Sequence, residues 1–382
     1  MLTFQFLEAN NQYDVAVAGG GLAGLATAIL LRDKGYRVIV FEKERYPFHK
    51  VCGEYISNES RRFLQRIGLD VDALGAAPIQ KVLISSIGGR SITERLPLGG
   101  FALSRFRLDH ELRNIAVGKG VIVREDTRVN DIQPEEERFT LDADAPYSAR
   151  VALACYGKKA NLDVKWRRRF TLKKKNRLNN FVGVKYHVRT DFKNDLIALH
   201  NFPGGYGGLV RIEEDRYCLC YLTTAGNLQK AGGIKELEQR VLSVNPYLRE
   251  LFSRSEILYE APLTISQISF DKKTQVENGV LMVGDAAGMI TALCGNGMSM
   301  ALHGAKIACE WVDRFLKGDI SREEMERGYC RHWRKTFGTR LWFGRRIQSM
   351  FDSRLFGVLL PIFRTLPFFT RWLIRKTHGH EF

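Results

Sequence analysis

The run Gly19-Gly20-Gly21-Leu22-Ala23-Gly24 lies between an apolar stretch, Val15 to Ala18, and an Ala/Leu-rich segment with helical character. Glycines at this spacing can hold the diphosphate of a dinucleotide. Gly19 makes the tight turn, Gly21 lets the backbone approach the pyrophosphate, and Gly24 lets helix and strand pack closely. The pyrophosphate charge then meets unpaired N–H groups at the helix N-terminus. Glu42 ends the next apolar run, Val38-Ile39-Val40-Phe41, and lies 18 residues past Gly24. A carboxylate there can accept both ribose hydroxyls. Strand, helix, the turn at Gly35, second strand and acid fall in register, so the chain is expected to bind a dinucleotide.

Three other places carry chemistry. Gly284-Asp285 follows the apolar run Val280 to Val283, at a strand's carboxyl end, where open α/β sheets place their ligands. A buried Asp there needs a partner, and cofactor hydroxyls would serve. Gly295 and Gly297 precede a helical run, Met298 to Ala308, and a helix N-terminus with close-approaching glycines stabilises negative charge. Arg105 begins a helical stretch with Asp109 four residues on. It can counter pyrophosphate charge or pair with Asp109 on the helix surface, and the spacing leaves both open. His187 and His200 sit in strand patterns with no evident partner.

The elements that must position these groups follow from periodicity. Residues 13–42 read as a βαβ opening, and 80–100 alternate apolar and polar around a turn at Gly88-Gly89. Arg105 to Ala116 reads as a helix, and Val121 to Val123 and Val151 to Ala154 as strands of the nucleotide sheet. Strand-like segments near 181–190, 195–201, 208–212 and 217–223 describe an antiparallel sheet. Residues 234–253 read as helical, ending after Asn245-Pro246, and helices run from 288 to the end. The expected fold is α/β. A Rossmann-like nucleotide-binding domain with a mixed sheet spans 1–78, 101–178 and 270–320. A β-rich substrate domain, 79–100 and 179–269, is inserted, and a helical tail covers 321–382.

Composition bounds the class. The chain has 382 residues, 45% hydrophobic and 26% charged, enough for two units sharing a large core. No apolar run approaches the roughly 18 residues of a membrane span. The first thirteen residues hold no Lys or Arg, so a secretory leader is not expected. Seven scattered cysteines suit reduced thiols in a cytoplasm. Cys218 and Cys220 are the nearest pair, and alternation along a strand was expected to point them opposite ways. No Cys/His run has zinc spacing, so no metal is expected. The formal net charge is +16, concentrated in Lys165 to Arg177 and the C-terminal tail. No nucleic-acid motif accompanies these cations, so no specific nucleic acid is expected. An anionic membrane, an acidic carrier protein holding the substrate, and plain solvation remain open.

With these elements placed, the chain resembles the flavoprotein monooxygenase fold group, which includes aromatic hydroxylases, geranylgeranyl reductases and flavin-dependent halogenases. The Gly19–Gly24 and Glu42 fingerprint carries the resemblance first. Arg105-x-x-x-Asp109-x-x-Leu112 is similar to the group's helix whose Arg lies near the flavin. Gly284-Asp285-Ala286-Ala287 resembles its GD motif, and Gly295-Asn296-Gly297-Met298 its helix start beside the isoalloxazine ring. The resemblance implies FAD, with NAD(P)H as electron donor. Tyr46 to Glu54 resembles the segment carrying the Cys-Gly pair of geranylgeranyl reductases, and so implies that Cys52 lies near the flavin face. The group's mid-chain Asp-Gly motif is replaced by Ala154-Cys155-Tyr156-Gly157, and the proline usual after the GD motif by Ala292.

The expected activity is therefore FAD-dependent oxidation or reduction of a lipophilic substrate. Ring hydroxylation with NAD(P)H and dioxygen leads. Double-bond reduction of an isoprenoid or polyketide and halogenation are the alternatives, and a non-catalytic flavin- or nucleic-acid-binding protein is the contrasting class. The tail alternates apolar and aromatic residues (Leu355 to Phe363, Phe368-Phe369, Trp372 to Ile374) with arginines. That pattern suits packing on the domain, or peripheral membrane contact through 340–376.

Overall fold

The computed structural model describes residues 11–173, 176, 178–291, 295–351 and 379–382. The chain opens with β1 (Gln12–Ala18), α1 (Leu22–Asp33) and β2 (Val38–Phe41), followed by β3 (Tyr55–Ser57) and α2 (Arg61–Arg66). A long hairpin, β4 (Ala77–Ser85) and β5 (Ser91–Ala102), leads to α3 (Arg105–Gly118) and β6 (Ile122–Arg124). Next come β7 (Asp131–Pro134), β8 (Phe139–Asp142), β9 (Pro146–Ala154) and α4 (Asn161–Lys165). Four strands follow: β10 (Phe181–Arg189), β11 (Leu196–Phe202), β12 (Gly205–Arg211) and β13 (Tyr217–Thr224). Helices α5 (Ala225–Ala231), α6 (Ile234–Arg240) and α7 (Pro246–Arg254) precede β14 (Glu256–Ile257) and β15 (Leu263–Ile268). The chain then makes β16 (Val276–Glu277), β17 (Val280–Met282), α8 (Gly297–Leu316) and α9 (Arg322–Phe351).

These strands form two sheets. In the first, β17, β9, β1, β2 and β6 lie side by side and parallel, with β16 and the β7–β8 hairpin added antiparallel. Val15 to Ala18, Val38 to Phe41 and Val151 to Ala154 are all buried. Such continuous apolar runs suit parallel strands covered on both faces. The small residues along α1 let it pack against both α8 and α3. Met325, Tyr329, Trp333, Phe337 and Leu341, one every four residues, give α9 a buried stripe. Because the central strands are parallel, their carboxyl ends meet on one edge. Gly19, Glu42, Cys155 and Gly284 all follow such ends.

The second sheet runs β14-β10-β13-β12-β11-β4-β5-β3, with β15 also on β10. Its pairs are antiparallel except β11 beside β4. Helices α5 to α7 shield one face through a cluster that includes Val184, Leu219, Leu237 and Leu248. The opposite face looks towards the nucleotide sheet. The expected α/β fold, with a parallel nucleotide sheet and an antiparallel-rich one, is observed.

Two expectations are corrected. The helix expected over 234–253 is broken at 241–245, because Asn245 starts a helix instead of ending one. Its side chain accepts the Tyr247 N–H at 2.9 Å, and Pro246 takes the first helical position, where its missing N–H costs nothing. Cys218 and Cys220 do not point opposite ways: residues two apart on a strand share a face, and both pack on the same apolar cluster. Among the described residues no helix is long and apolar enough to cross a membrane. Ala292 and the apolar tail runs from 355 to 374 lie outside the described residues, as does most of the 340–376 segment.

Candidate active site

The turn after β1 is shaped by its glycines. Gly19 has φ +112°, and a Cβ there would fall 2.6 Å from the Cys155 backbone. A Cβ on Gly24 would overlap the Gly19 carbonyl oxygen. These two are packing glycines, and Gly24 does not reach the cavity. Gly21 differs. It is the N-cap of α1 with no side-chain cap, and the nearest atoms to a Cβ there are Lys50 Nζ at 3.5 Å and Arg105 Nη2 at 3.6 Å. Open helix N–H groups and two cations thus surround a space clear of side chains, which suits a diphosphate.

Arg105 does pair with Asp109, but the pair is buried rather than on the helix surface. Its guanidinium makes a bidentate contact with Asp109, at 2.8 and 2.7 Å, while facing the Gly21 turn. Lys50 Nζ lies 3.1 Å from Asp109 and 3.7 Å from Glu42. Burial alone would raise the Asp109 carboxyl, but the Arg105 and Lys50 charges outweigh it and hold the group below the usual carboxylate range. Asp109 therefore anchors two cations at the cradle. Glu42 stands at the end of β2, with Oε2 accepting the Gly20 N–H at 3.0 Å and Oε1 the Glu44 N–H at 3.3 Å. Its carboxylate remains on the cavity wall.

Asp285 lies just past β17, and its carboxylate makes no hydrogen bond among the described residues. Its turn is clamped from behind. Lys273 Nζ donates to the carbonyls of Asp285 and Lys158, each at 2.8 Å, and Arg168 donates to the carbonyls of Ala286 and Thr274 at 3.0 and 2.9 Å. Arg168 is itself paired with the buried Asp163 at 2.7 Å, and Tyr156 donates to the same carboxylate at 2.6 Å. The segment that lacks the usual Asp-Gly motif thus holds the Asp285 turn through this network. Gly295 (φ +65°), Gly297 and Met298 bring the first turn of α8 to the cavity. Asn296 is its N-cap residue, but it turns away from the cavity and donates to Glu59. The leading N–H groups of α8 have no intrahelical acceptor.

Cys52 joins these pieces. Its sulfur lies 3.8 Å from Met298 Sδ and accepts the Glu54 N–H at 3.5 Å. Glu54, fully buried at φ +56°, accepts from the Arg105 N–H at 2.7 Å, from Lys185 Nζ and from His187 Nε2 at 2.8 Å. Burial would raise its pKa, but the Lys185 ammonium and the His187 hydrogen bond prevail and hold it at about 2. Cys218 is the third member of a buried trio with Glu54 and His187 whose donor atoms lie within 4.8 Å of one another. The Lys185 ammonium supplies the positive charge such a trio would otherwise take from a metal. His200, by contrast, belongs to the core: it pairs with Ser85 Oγ at 2.8 Å, and burial lowers its pKa to about 4.

One cavity of about 940 Å³ connects these groups, near the upper end of the roughly 300–1,000 Å³ usual for ligand sites. Gly19, Gly21, Glu42, Arg105, Gly284, Asp285, Gly295, Gly297 and Cys52 all line it. Its other half is an apolar chamber walled by Val82, Ile84, Leu199, Val210, Leu222 and Ile265. The sequence reading missed Glu54, Lys185 and Lys273. Lys185 and His187 inside the mostly apolar, wholly buried stretch Phe181 to Val188 were the available signal, since a buried ammonium must have a partner.

Residues 12–152 match the FAD binding domain family. The digeranylgeranylglycerophospholipid reductase of Methanosarcina acetivorans is 25% identical over 341 residues, covering 85% of this chain and 81% of that protein. The chain is an FAD-dependent oxidoreductase. The oxidoreductase is also similar to conditioned medium factor receptor 1 of Dictyostelium discoideum, 24% identical over 358 residues, 85% of this chain and 68% of the relative. Its fold is shared with the flavin-dependent halogenase CmlS (TM-score 0.77, 18% identity), with 90% of this chain and 66% of that one covered. The cradle, the open Asp285 carboxylate and the uncapped start of α8 fit the diphosphate, ribityl hydroxyls and anionic ring edge of FAD.

Two results are expected. Gly21→Ala fills the cradle without touching the fold, so thermal denaturation of the apoprotein stays unchanged while FAD affinity, read by flavin fluorescence, falls at least about tenfold. Glu54→Gln strands the Lys185 ammonium and costs about 3–5 kcal/mol in urea denaturation, and adding Lys185→Met recovers part of that loss. Glu54 is held at about 2, below its ordinary 4.5. Its stabilisation is thus complete above pH 4.5 and is lost as pH falls through 2, so wild type loses more stability over that range than Glu54→Gln.

Proposed function

We propose that this oxidoreductase reduces carbon–carbon double bonds of an isoprenoid lipid. The observation that carries the reading is the Cys52 thiol at the joint between the glycine cradle and the apolar chamber. When bound and reduced, FAD supplies a hydride. The alkene would also need a proton at its other carbon, and Cys52 Sγ–H is the donor we assign to it, to be reprotonated from water afterwards. One C–H bond would form with the hydride pair and one with the Cys52 proton, so the alkene would gain two hydrogens. NAD(P)H is the proposed source of its electrons.

The surrounding residues support this role. The chamber's aliphatic wall offers apolar contact and excludes water along an isoprenoid chain. Lys50 and Arg105 hold the diphosphate, and Asp109 holds both. Glu54 receives the N–H of Arg105 and donates its own to Cys52, and so keeps the thiol beside α8. Ring hydroxylation would use the same cavity but would give Cys52 no task. The similarity to a protein named as a digeranylgeranylglycerophospholipid reductase favours the same reading.

The test is turnover of photoreduced enzyme with a geranylgeranyl lipid, with and without oxygen. Reduction predicts anaerobic product heavier by two hydrogens per double bond, and Cys52→Ser retaining the flavin spectrum while losing about 10²–10⁴ in rate. Product formed only in air and carrying label from ¹⁸O₂ would overturn the proposal in favour of hydroxylation.

A further inference from the structure

Two stretches far apart in the chain carry cations without acids. Residues 164–178 contain eight Lys and Arg, and residues 327–351 contain seven, with no Asp or Glu in either. The fold brings them to neighbouring sides of one short segment, 271–275. Lys173 Nζ lies 3.1 Å from Asp271, and Arg168 reaches the Thr274 carbonyl at 2.9 Å. From the other side, Arg345 of α9 faces Asp271, and Arg334 donates to Gln275 at 2.8 Å.

Apolar side chains stand out among these cations. Leu172 is 62% exposed, Val164 57% and Trp342 49%. Along α9, Arg331, Lys335, Trp342 and Arg346 are all exposed at helical spacing, opposite the buried stripe, and Arg346 lies over the Trp342 ring. The residues just inside this face line the cavity. Phe270, next to Asp271, and Ile347, next to Arg346, are both part of its wall. Leu178, at the end of the first basic stretch, packs on the same apolar cluster as Phe270 and Met289.

We infer that this joined basic face docks on an anionic phospholipid membrane and sets the apolar end of the cavity against the bilayer. The inference rests on the lipid-substrate reading for its purpose, but its surface argument stands separately. Cations attract acidic headgroups, and exposed Leu, Val and Trp tips enter the interface where a nucleic acid would offer them nothing. Net charge over these stretches repels a basic partner and matches an acidic leaflet.

The test is sedimentation of FAD-loaded protein with vesicles of phosphatidylcholine, with and without phosphatidylglycerol. Binding at least tenfold stronger to the anionic vesicles, and weakening with salt, is expected. Arg167→Glu/Arg169→Glu/Arg331→Glu/Lys335→Glu should reduce it more than a hundredfold, at about fivefold per cation. Leu172→Ser/Trp342→Ser should lower it at constant charge. Both variants should keep the wild-type flavin spectrum and wild-type turnover of a short, water-soluble isoprenoid, so that failure of turnover alone counts against the substrate reading and not against docking. Equal binding to neutral and anionic vesicles, insensitivity to these substitutions, or preference for duplex DNA over anionic vesicles would overturn the inference.

Discussion

A single buried carboxylate governs the arrangement of this protein. Glu54 sits in the left-handed region between the nucleotide sheet and the second sheet, and it collects the first N–H of α3, the Lys185 ammonium and the His187 imidazole. The desolvation cost of an ammonium and a carboxylate is met only because both are paired in close geometry. The consequence is positional. α3 brings Arg105, β10 brings the second sheet, and the chain between Lys50 and Glu54 brings Cys52, all to one point. Other contacts join the two parts, among them the Ser104 N–H to Glu213 and Cys218 Sγ to the Cys52 carbonyl, but only this pairing draws all three segments to one atom group.

The groups that fit FAD are spread over residues nearly three hundred positions apart, yet few of them are side chains. Parallel pairing of β1, β2, β9 and β17 aligns four strand ends, and the helix starts of α1 and α8 face the resulting crevice. Backbone N–H groups at both places suit negative charge. Side chains add what the backbone cannot: a cation pair at Gly21, and carboxylates at Glu42 and Asp285. The clamp of Lys273 and Arg168 fixes the Asp285 turn through its carbonyls. Burial lowers the Lys273 pKa to about 8, and the nearby Asp285 and Asp163 charges limit that fall.

Much of this was legible in the sequence because the signals are local. The Gly19–Gly24 spacing, the apolar run ending at Glu42 and the Gly284-Asp285 step each lie within one turn of chain, and each marks a strand end that the structure places on the cavity. The α/β architecture followed from the switch of period between 13–42 and 181–223. What sequence could not show is contact between distant segments. Nothing near Glu54 announces Lys185 or His187, and nothing in Ala154-Cys155-Tyr156-Gly157 announces that Tyr156 would join Asp163 and Arg168. Asn245-Pro246 carries a helix-start signature, and helical periodicity on both sides of it masks the break. Cys218 and Cys220 share a face because strand alternation has a period of two.

The most direct measurement of the central claim, that one FAD lies along the continuous cavity from Gly21 to Gly297, is a crystal structure of the FAD-loaded protein. The account predicts the diphosphate against Gly21, Lys50 and Arg105, the ribityl chain at Asp285, and the flavin ring at the first turn of α8 with Cys52 beside it. A flavin ring elsewhere, or an adenosine half occupying the apolar chamber between Val82 and Leu222, would contradict it.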